Sequence, residues 1–238
     1  MNNEANTVPR VVDVTHSGIE MADFIRRVYQ WMTIGLAVTG IVAYFVAHSQ
    51  YLLSLIFGVP FLFYGLLILE LILVVVISRA ISKFSASTSG VLFFIYSILQ
   101  GLTLSVIFLV YTESSIASVF FITAATFAAM SIYGYVTKTD LTKVGNIAFM
   151  ALIGLIIASL MNLFLKNEGF ASILSYLGVL IFVALTAYDT QKIKQMNLAG
   201  ISGTDQAKKG AIFGALQLYL DFINLFLNLL RILGGRRK

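Results

Sequence analysis

Seven stretches of about 20 mainly apolar residues run through this chain, each long enough to cross about 30 Å of hydrocarbon as a helix rising about 1.5 Å per residue. They lie near 29–48, 52–77, 90–111, 116–136, 145–165, 171–190 and 210–233. The connections are short and polar, the longest running from Gln191 to Lys209, so no extramembrane domain fits between spans. With 59% hydrophobic and 11% charged residues, the chain carries more apolar surface than one water-soluble core hides. The expected fold is an all-α membrane protein: a cytoplasmic N-terminal tail over 1–28, then a transmembrane domain of seven helices over 29–238. Arg10, Asp13, Glu20, Asp23, Arg26 and Arg27 precede any apolar run, unlike the short charged start of a cleavable signal peptide, so the first span is expected to stay in the membrane.

The residue inventory excludes several chemistries. Cysteine is absent, which removes disulfides, thiolate zinc sites and iron–sulfur clusters, and His16 and His48 are too far apart for a metal motif. The net charge of +5 sits in short runs between apolar stretches, a topology signal rather than a nucleic-acid surface. With the N-terminus in the cytoplasm, Arg10, Arg26, Arg27, Arg79, Lys83, Lys138, Lys143, Lys192, Lys194, Lys208 and Lys209 fall on that side, and the opposite loops hold Lys166. Arg236, Arg237 and Lys238 dissent: either the early charges set the orientation, or the last helix is re-entrant and returns its end to the cytoplasm. Tyr29, Trp31, Tyr51, Tyr111, Tyr133 and Tyr135 cluster at span ends as expected of headgroup anchors. Small residues four apart, as in Ser97, Gly101 and Ser105, Ala124 and Ala128, or Gly154 and Ala158, permit close helix packing.

Of the acidic residues, Glu70, Asp189 and Asp221 alone fall within spans. A carboxylate at the bilayer centre costs about 2.5–3.5 kcal/mol on insertion scales, so these three are the candidates for function. In the last span Gly210, Gly214, Gln217, Asp221, Asn224, Asn228 and Arg231 recur at helical spacing and share one face. That polar seam must face protein or water, which suits a central helix wrapped by the others, its seam either lining a path or serving as an interhelical hydrogen-bond seam.

Asp189 ends the sixth span, and Asp221 lies about 16 Å into the seventh if that helix starts near Gly210. For the two to meet, the sixth helix must run past Lys192 or the seventh must begin earlier. Two carboxylates sharing a low-dielectric site cannot both ionise cheaply, so one proton is expected to stay between them. Fully ionised, they offer hard oxygens to a divalent cation such as calcium, helped by the amide oxygens of Gln217 or Asn224, so proton and calcium compete. Glu70 and Arg79 are spaced almost as Asp221 and Arg231 are, about 14 Å in each helix. An antiparallel alignment would pair Arg79 with Asp221 as a latch and Glu70 with Arg231 as a tie; alternatively Arg79 is a snorkelling interfacial residue.

The runs Ala187-Tyr188-Asp189-Thr190-Gln191-Lys192-Ile193 and Leu218-Tyr219-Leu220-Asp221-Phe222-Ile223-Asn224-Leu225-Phe226 resemble the Bax inhibitor-1 family, the transmembrane Bax inhibitor motif proteins. Ser131-Ile132-Tyr133-Gly134-Tyr135 and Met150-Ala151-Leu152-Ile153-Gly154 extend the likeness over nearly the whole chain, which is most similar to the bacterial inner-membrane branch. The resemblance implies a seven-helix fold with the last helix central between two three-helix layers, and a pH-sensitive calcium leak that is not an enzyme. By motif match, Asp189 and Asp221 correspond to the family's hydrogen-bonded aspartate pair at the cytoplasmic mouth of the pore. Arg79, Glu70 and Arg231 are the candidates for its basic latch and acid-to-arginine tie. No cofactor is expected beyond calcium as a transported or bound ion. The expected partners are the bilayer, calcium, protons and a further membrane protein, with no nucleic acid.

Two other functions compete. Intramembrane aspartyl proteases also carry a Tyr-Asp pair, matched by Tyr188-Asp189, but their Gly-x-Gly-Asp run is replaced by Leu218-Tyr219-Leu220-Asp221. A membrane interaction protein that regulates a membrane protease or other partner would use the charged first 28 residues as a docking tail.

Overall fold

The computed structural model describes residues 11–80, 83–196 and 204–237; the first ten residues, Arg10 among them, and Lys238 lie outside the described residues. In chain order come α1 (Val11–Ala47), α2 (Gln50–Phe57), α3 (Pro60–Ala80), α4 (Ala86–Leu104), α5 (Ile107–Val110), α6 (Glu113–Val136), α7 (Thr142–Leu165), α8 (Glu168–Gln195) and α9 (Asp205–Leu233). Seven helical segments are long and apolar enough to cross a membrane, with α4 and α5 forming one of them. The fold is all-α, as expected; the one β-type pairing among the described residues is a bridge between Tyr111 and Arg236.

The element boundaries follow from local chemistry. Ser49, Ser85, Thr112, Asn167 and Thr204 each accept a backbone N–H from the first turn of α2, α4, α6, α8 and α9. Lys166, at φ 50°, closes α7 in the left-handed region. The expected second span of 52–77 is instead split at Gly58–Val59 into α2 and α3, because Pro60 offers no N–H to a preceding turn and opens a new helix. α1 begins at Val11 and runs on into the first span, and Phe24, Val28 and Met32 repeat every fourth residue on a buried face.

α9 is the most enclosed span. About two-thirds of its apolar window (67%) is buried, against 11% for α3 and 6% for α7. It packs chiefly on α1, α4, α6 and α8, while α3 rests on α4 and α2, and α7 on α8. The expected wrapping by all six helices is therefore close on four sides. α3 and α7 stand back from α9 and share the wall of a cavity with it.

One buried cluster ties three of these helices together. The Tyr219 ring of α9 meets Phe93 and Tyr96 of α4 edge-on at 5.8 and 5.7 Å. Its hydroxyl lies 2.6 Å from Thr39 Oγ1 on α1. Thr39 donates its own proton to the Ser97 carbonyl at 2.8 Å, so Tyr219 is the donor to Thr39. Of the small-residue patterns, Ser97, Gly101 and Ser105 lie buried against α1 and its surroundings. Ala128 and Gly154 face outward instead, with open space where a Gly154 side chain would go, since four-residue spacing sets a face without saying what covers it.

α9 is one continuous helix of 29 residues, about 43 Å long, which excludes the re-entrant arrangement. Beyond it, Arg237 donates its N–H to the Val110 carbonyl at 2.8 Å and Gly235 accepts from Thr112 at 3.1 Å. Arg236 reaches Glu168 at 3.9 Å. The C-terminal residues are thus clasped to the α5–α6 and α7–α8 turns, at the end of the bundle opposite to the start of α9. Single cysteines introduced as Gln206→Cys and Arg236→Cys into this cysteine-free chain should react with an impermeant thiol reagent from opposite sides of the membrane. Labelling of both from one side would contradict the crossing.

Candidate functional site

The stretch of α8 around Asp189 is held by α6, α7 and the turn between them. Gly134 of α6 lies against the Ala187 carbonyl so closely that a side chain there would collide with backbone. Gly145 of α7 lies under the Tyr188 ring in the same way. With residues 187 and 188 pressed against α6 and α7, the next position on the helix turns toward α9 and carries Asp189 there. Two residues on, the Gln191 side chain accepts from Leu141 N–H at 2.8 Å and donates to the Thr139 carbonyl at 2.8 Å, fixing the α6–α7 turn. In that turn Asp140 accepts from the hydroxyl and the N–H of Thr142 at 2.6 and 2.9 Å, bonds that hold its carboxyl below the usual range.

Asp189 and Asp221 meet. Their side chains are hydrogen-bonded to each other, and both are buried. One of the two conditions for meeting required α8 to pass Lys192 and the other required α9 to begin before Gly210; both hold. A hydrogen bond between two carboxyl groups requires that one of them carry the proton. Asp221 Oδ2 has no further partner among the described residues, and neither do Gln217 Oε1 and Thr190 Oγ1.

The pair forms part of the wall of a cavity of about 910 Å³ between α3, α4, α7, α8 and α9. Gln217 and Asn224 line it from α9, Glu70 from α3, and Lys192 from α8. A second cavity of about 330 Å³ is lined by Asn224, Asn228 and Arg231. The polar seam therefore borders two cavities that share Asn224, whereas Gly214 packs on Ile193 and Val28 and Gly178 leaves room for the Asn228 side chain. Asn224 and Asn228 donate back to the carbonyls of Leu220 and Asn224, each at 2.8 Å, which leaves their amide oxygens as acceptors.

The expected latch and tie are not formed. Arg79 is exposed, and among the described residues no ion pair joins it to Asp221 or joins Glu70 to Arg231. Glu70 instead accepts from Thr103 Oγ1 of α4 at 2.9 Å, and Arg231 points its guanidinium at Ser175 Oγ of α8, 3.4 Å away. The reason is packing: α3 lies on α4, so equal spacings along α3 and α9 never come into register. The cation that does interact electrostatically with Asp189 is Lys192, whose Nζ lies 5.9 Å from the centroid of the Tyr188 ring.

Sequence reasoning passed over Gln100 and Asn146, which line the larger cavity from α4 and α7. Both are amides inside apolar spans, and the rule that singled out Gln217 and Asn224 applies to them equally. Among the described residues no group of three His, Asp or Glu side chains surrounds a metal position. A divalent cation at the acid pair would therefore draw its remaining oxygens from Gln217, Asn224, backbone or water.

Seven helices long and apolar enough to cross a membrane, with two hydrogen-bonded acids buried at the wall of a cavity between them, define a multi-pass membrane protein with ionisable side chains inside the bundle. The family model described as inhibitor of apoptosis-promoting Bax1 matches residues 21–238, and the chain belongs to that family, the Bax inhibitor-1 family. It is 50% identical over 230 residues to the inner membrane protein YbhL of Escherichia coli (strain K12), covering 96% of this chain and 98% of that one. An uncharacterized protein of Borreliella burgdorferi is 44% identical over 231 residues, 96% of this chain and all of that one. A membrane protein of Streptococcus pyogenes serotype M1 is 39% identical over 223 residues, 92% of this chain and 96% of that one. None of these names describes an enzyme.

Replacing Asp189 separates the hydrogen bond from the charge. Asp189→Asn can still bond to Asp221, whereas Asp189→Ala leaves a buried carboxyl with no partner, at a cost of about 1–3 kcal/mol. Thermal unfolding in detergent should place Asp189→Ala clearly below Asp189→Asn; equal melting temperatures would show that the bond contributes nothing to the bundle.

Proposed function

We propose that this protein is a passive, pH-modulated pathway for calcium across a bacterial inner membrane, with Asp189 and Asp221 as the site where protons and calcium compete. The observation that carries this reading is the hydrogen bond between the two carboxyl groups at the wall of a cavity that Gln217 and Asn224 also line. While the shared proton is present, the pair has at most one negative charge and its facing oxygens are occupied by each other. When the proton leaves, two adjacent carboxylates repel, and a divalent cation is the ligand that relieves that repulsion with hard oxygen contacts. The unpartnered Gln217 Oε1 and the amide oxygen of Asn224 extend the set along α9.

Such a site suits passage better than storage. Lys192 lines the same cavity, and its charge weakens cation binding at Asp189. An ion that binds weakly can leave, as conduction requires. Beyond Asn224 the seam continues to Asn228 and Arg231, so a cation moving that way passes a like charge, which favours a slow leak over a fast channel. The basic loops at the acid-pair end support a cytoplasmic location for that end and for the N-terminus with it. Asp189 then lies about 9 Å inside the cytoplasmic end of α8. The name of the Escherichia coli relative supports the inner-membrane location.

Purified protein in liposomes loaded with a calcium dye should pass calcium at a rate that falls as the pH is lowered. Asp221→Asn and Asp189→Asn should each reduce the flux about tenfold, equivalent to about 1.4 kcal/mol of ion binding, and flatten its pH profile. A flux and profile unchanged in both variants would remove the aspartates from the pathway.

A further inference from the structure

On the side of α9 turned away from the acid pair, a third cavity of about 690 Å³ opens between the N-terminal parts of α1, α4 and α9. Lys208 and Ile212 line it, and at 100° per residue they project roughly 180° away from Gln217 and Asp221. The cavity is polar at one end and apolar at the other. Arg26 and Arg27 of α1 and Lys208 of α9 form the rim, and Trp31, Val91 and Phe94 form the floor. Trp31 was expected to be a headgroup anchor. It leans into the bundle instead, with its ring 5.4 Å from Phe94 and 6.1 Å from Phe93, in a place kept open by the missing side chain of Gly90.

The charges at the rim are not all committed. Arg26 pairs with Asp23 at 3.0 Å. Asp205, the carboxylate beside the α4 terminus, pairs with Lys209 at 3.2 Å and accepts the Ala86 N–H at 2.9 Å, so an anion here is held by side chains rather than by the start of α4. Arg27 and Lys208 form no ion pair among the described residues. Arg27 and Lys208, the latter also within electrostatic reach of Asp205, therefore face a cavity whose floor begins about one helical turn further in, at Trp31 on α1 and Val91 on α4. Val91 is 55% exposed on the outer surface of the bundle, so the floor is open sideways to lipid.

We infer that this groove binds an anionic phospholipid, with the phosphate at Arg27 and Lys208 and an acyl chain along Val91, Phe94 and Trp31. Amphiphile and groove match in order and in scale: charge at the membrane surface, then apolar contact within about 10 Å. Inorganic phosphate would leave the aromatic floor unused, and a zwitterionic headgroup would bring its own cation against the rim. Basic pockets between spanning helices at the charged end of a bundle are suited to such headgroups.

The test is native mass spectrometry of the full chain released from bilayers of equal parts phosphatidylglycerol and phosphatidylcholine. The protein should retain phosphatidylglycerol preferentially. The double variant Arg27→Ala with Lys208→Ala should lose that retention by about 25-fold, about fivefold for each cation removed. The charge-conserving pair Arg27→Lys with Lys208→Arg should keep it. Val91→Trp, which fills the floor and leaves the rim intact, should also lower retention. Excess inorganic phosphate should not displace the lipid. Equal retention of the two lipids, an unaltered ratio in the folded double variant, or displacement by inorganic phosphate would each overturn the assignment.

Discussion

A carboxyl group that folding removes from water must find its hydrogen bond within the protein, and for Asp221 the group it finds is Asp189. Much of the surrounding architecture is what that bond requires. α8 must extend past Lys192 to bring Asp189 alongside α9, and residues 187 and 188 must be pinned so that residue 189 turns inward. Gly134 and Gly145 supply the pinning, because α6 and α7 approach α8 there to distances that any side chain would prevent. Gln191 then fixes the turn between those two helices, so the three walls around Asp189 hold one another in place.

The same constraint explains why the bundle is not uniformly tight. Past its first turns α9 is sealed against α1, α4 and α6 by Tyr219, Leu216 and Leu225, which are almost wholly buried. Its remaining face carries Gln217, Asp221 and Asn224, and close apolar packing against those groups would leave their polar atoms without partners. α3 and α7 stand back from this face, and Gln217, Asp221 and Asn224 line the cavity between them and α9. Two weakly enclosed helices and one polar helix face are thus one structural fact seen from two sides.

Hydropathy and spacing reveal the number of spans, the polar face of α9 and its enclosed position, since each depends on one helix at a time. The meeting of Asp189 and Asp221 depends on where two helices end, and capping residues such as Thr204 lie several residues beyond the apolar windows. Pro60 is plain in the sequence, yet a 20-residue average runs across it and hides the break between α2 and α3. The latch and tie fail for a different reason. Matching intervals along α3 and α9 say nothing about whether the two are neighbours, and the partner of Glu70 turns out to be Thr103 on α4. The beginning of α1 was obscured by Asp23, Arg26 and Arg27, although Phe24, Val28 and Met32 recur with helical period through that charged stretch.

The two sites on α9 face opposite ways, and Lys208 and Asp221 are thirteen residues apart, about 20 Å along the helix. At physiological ionic strength the Debye length is about 8 Å, so the field of a headgroup at the wetted rim is largely screened before it reaches the acid pair. A lipid held by Arg27 and Lys208 would influence Asp221 through position rather than charge, by fixing the N-terminal part of α9 against α1 and α4. Ile193 of α8 packs between these regions, touching the backbone position of Gly214 that Val28 of α1 also approaches.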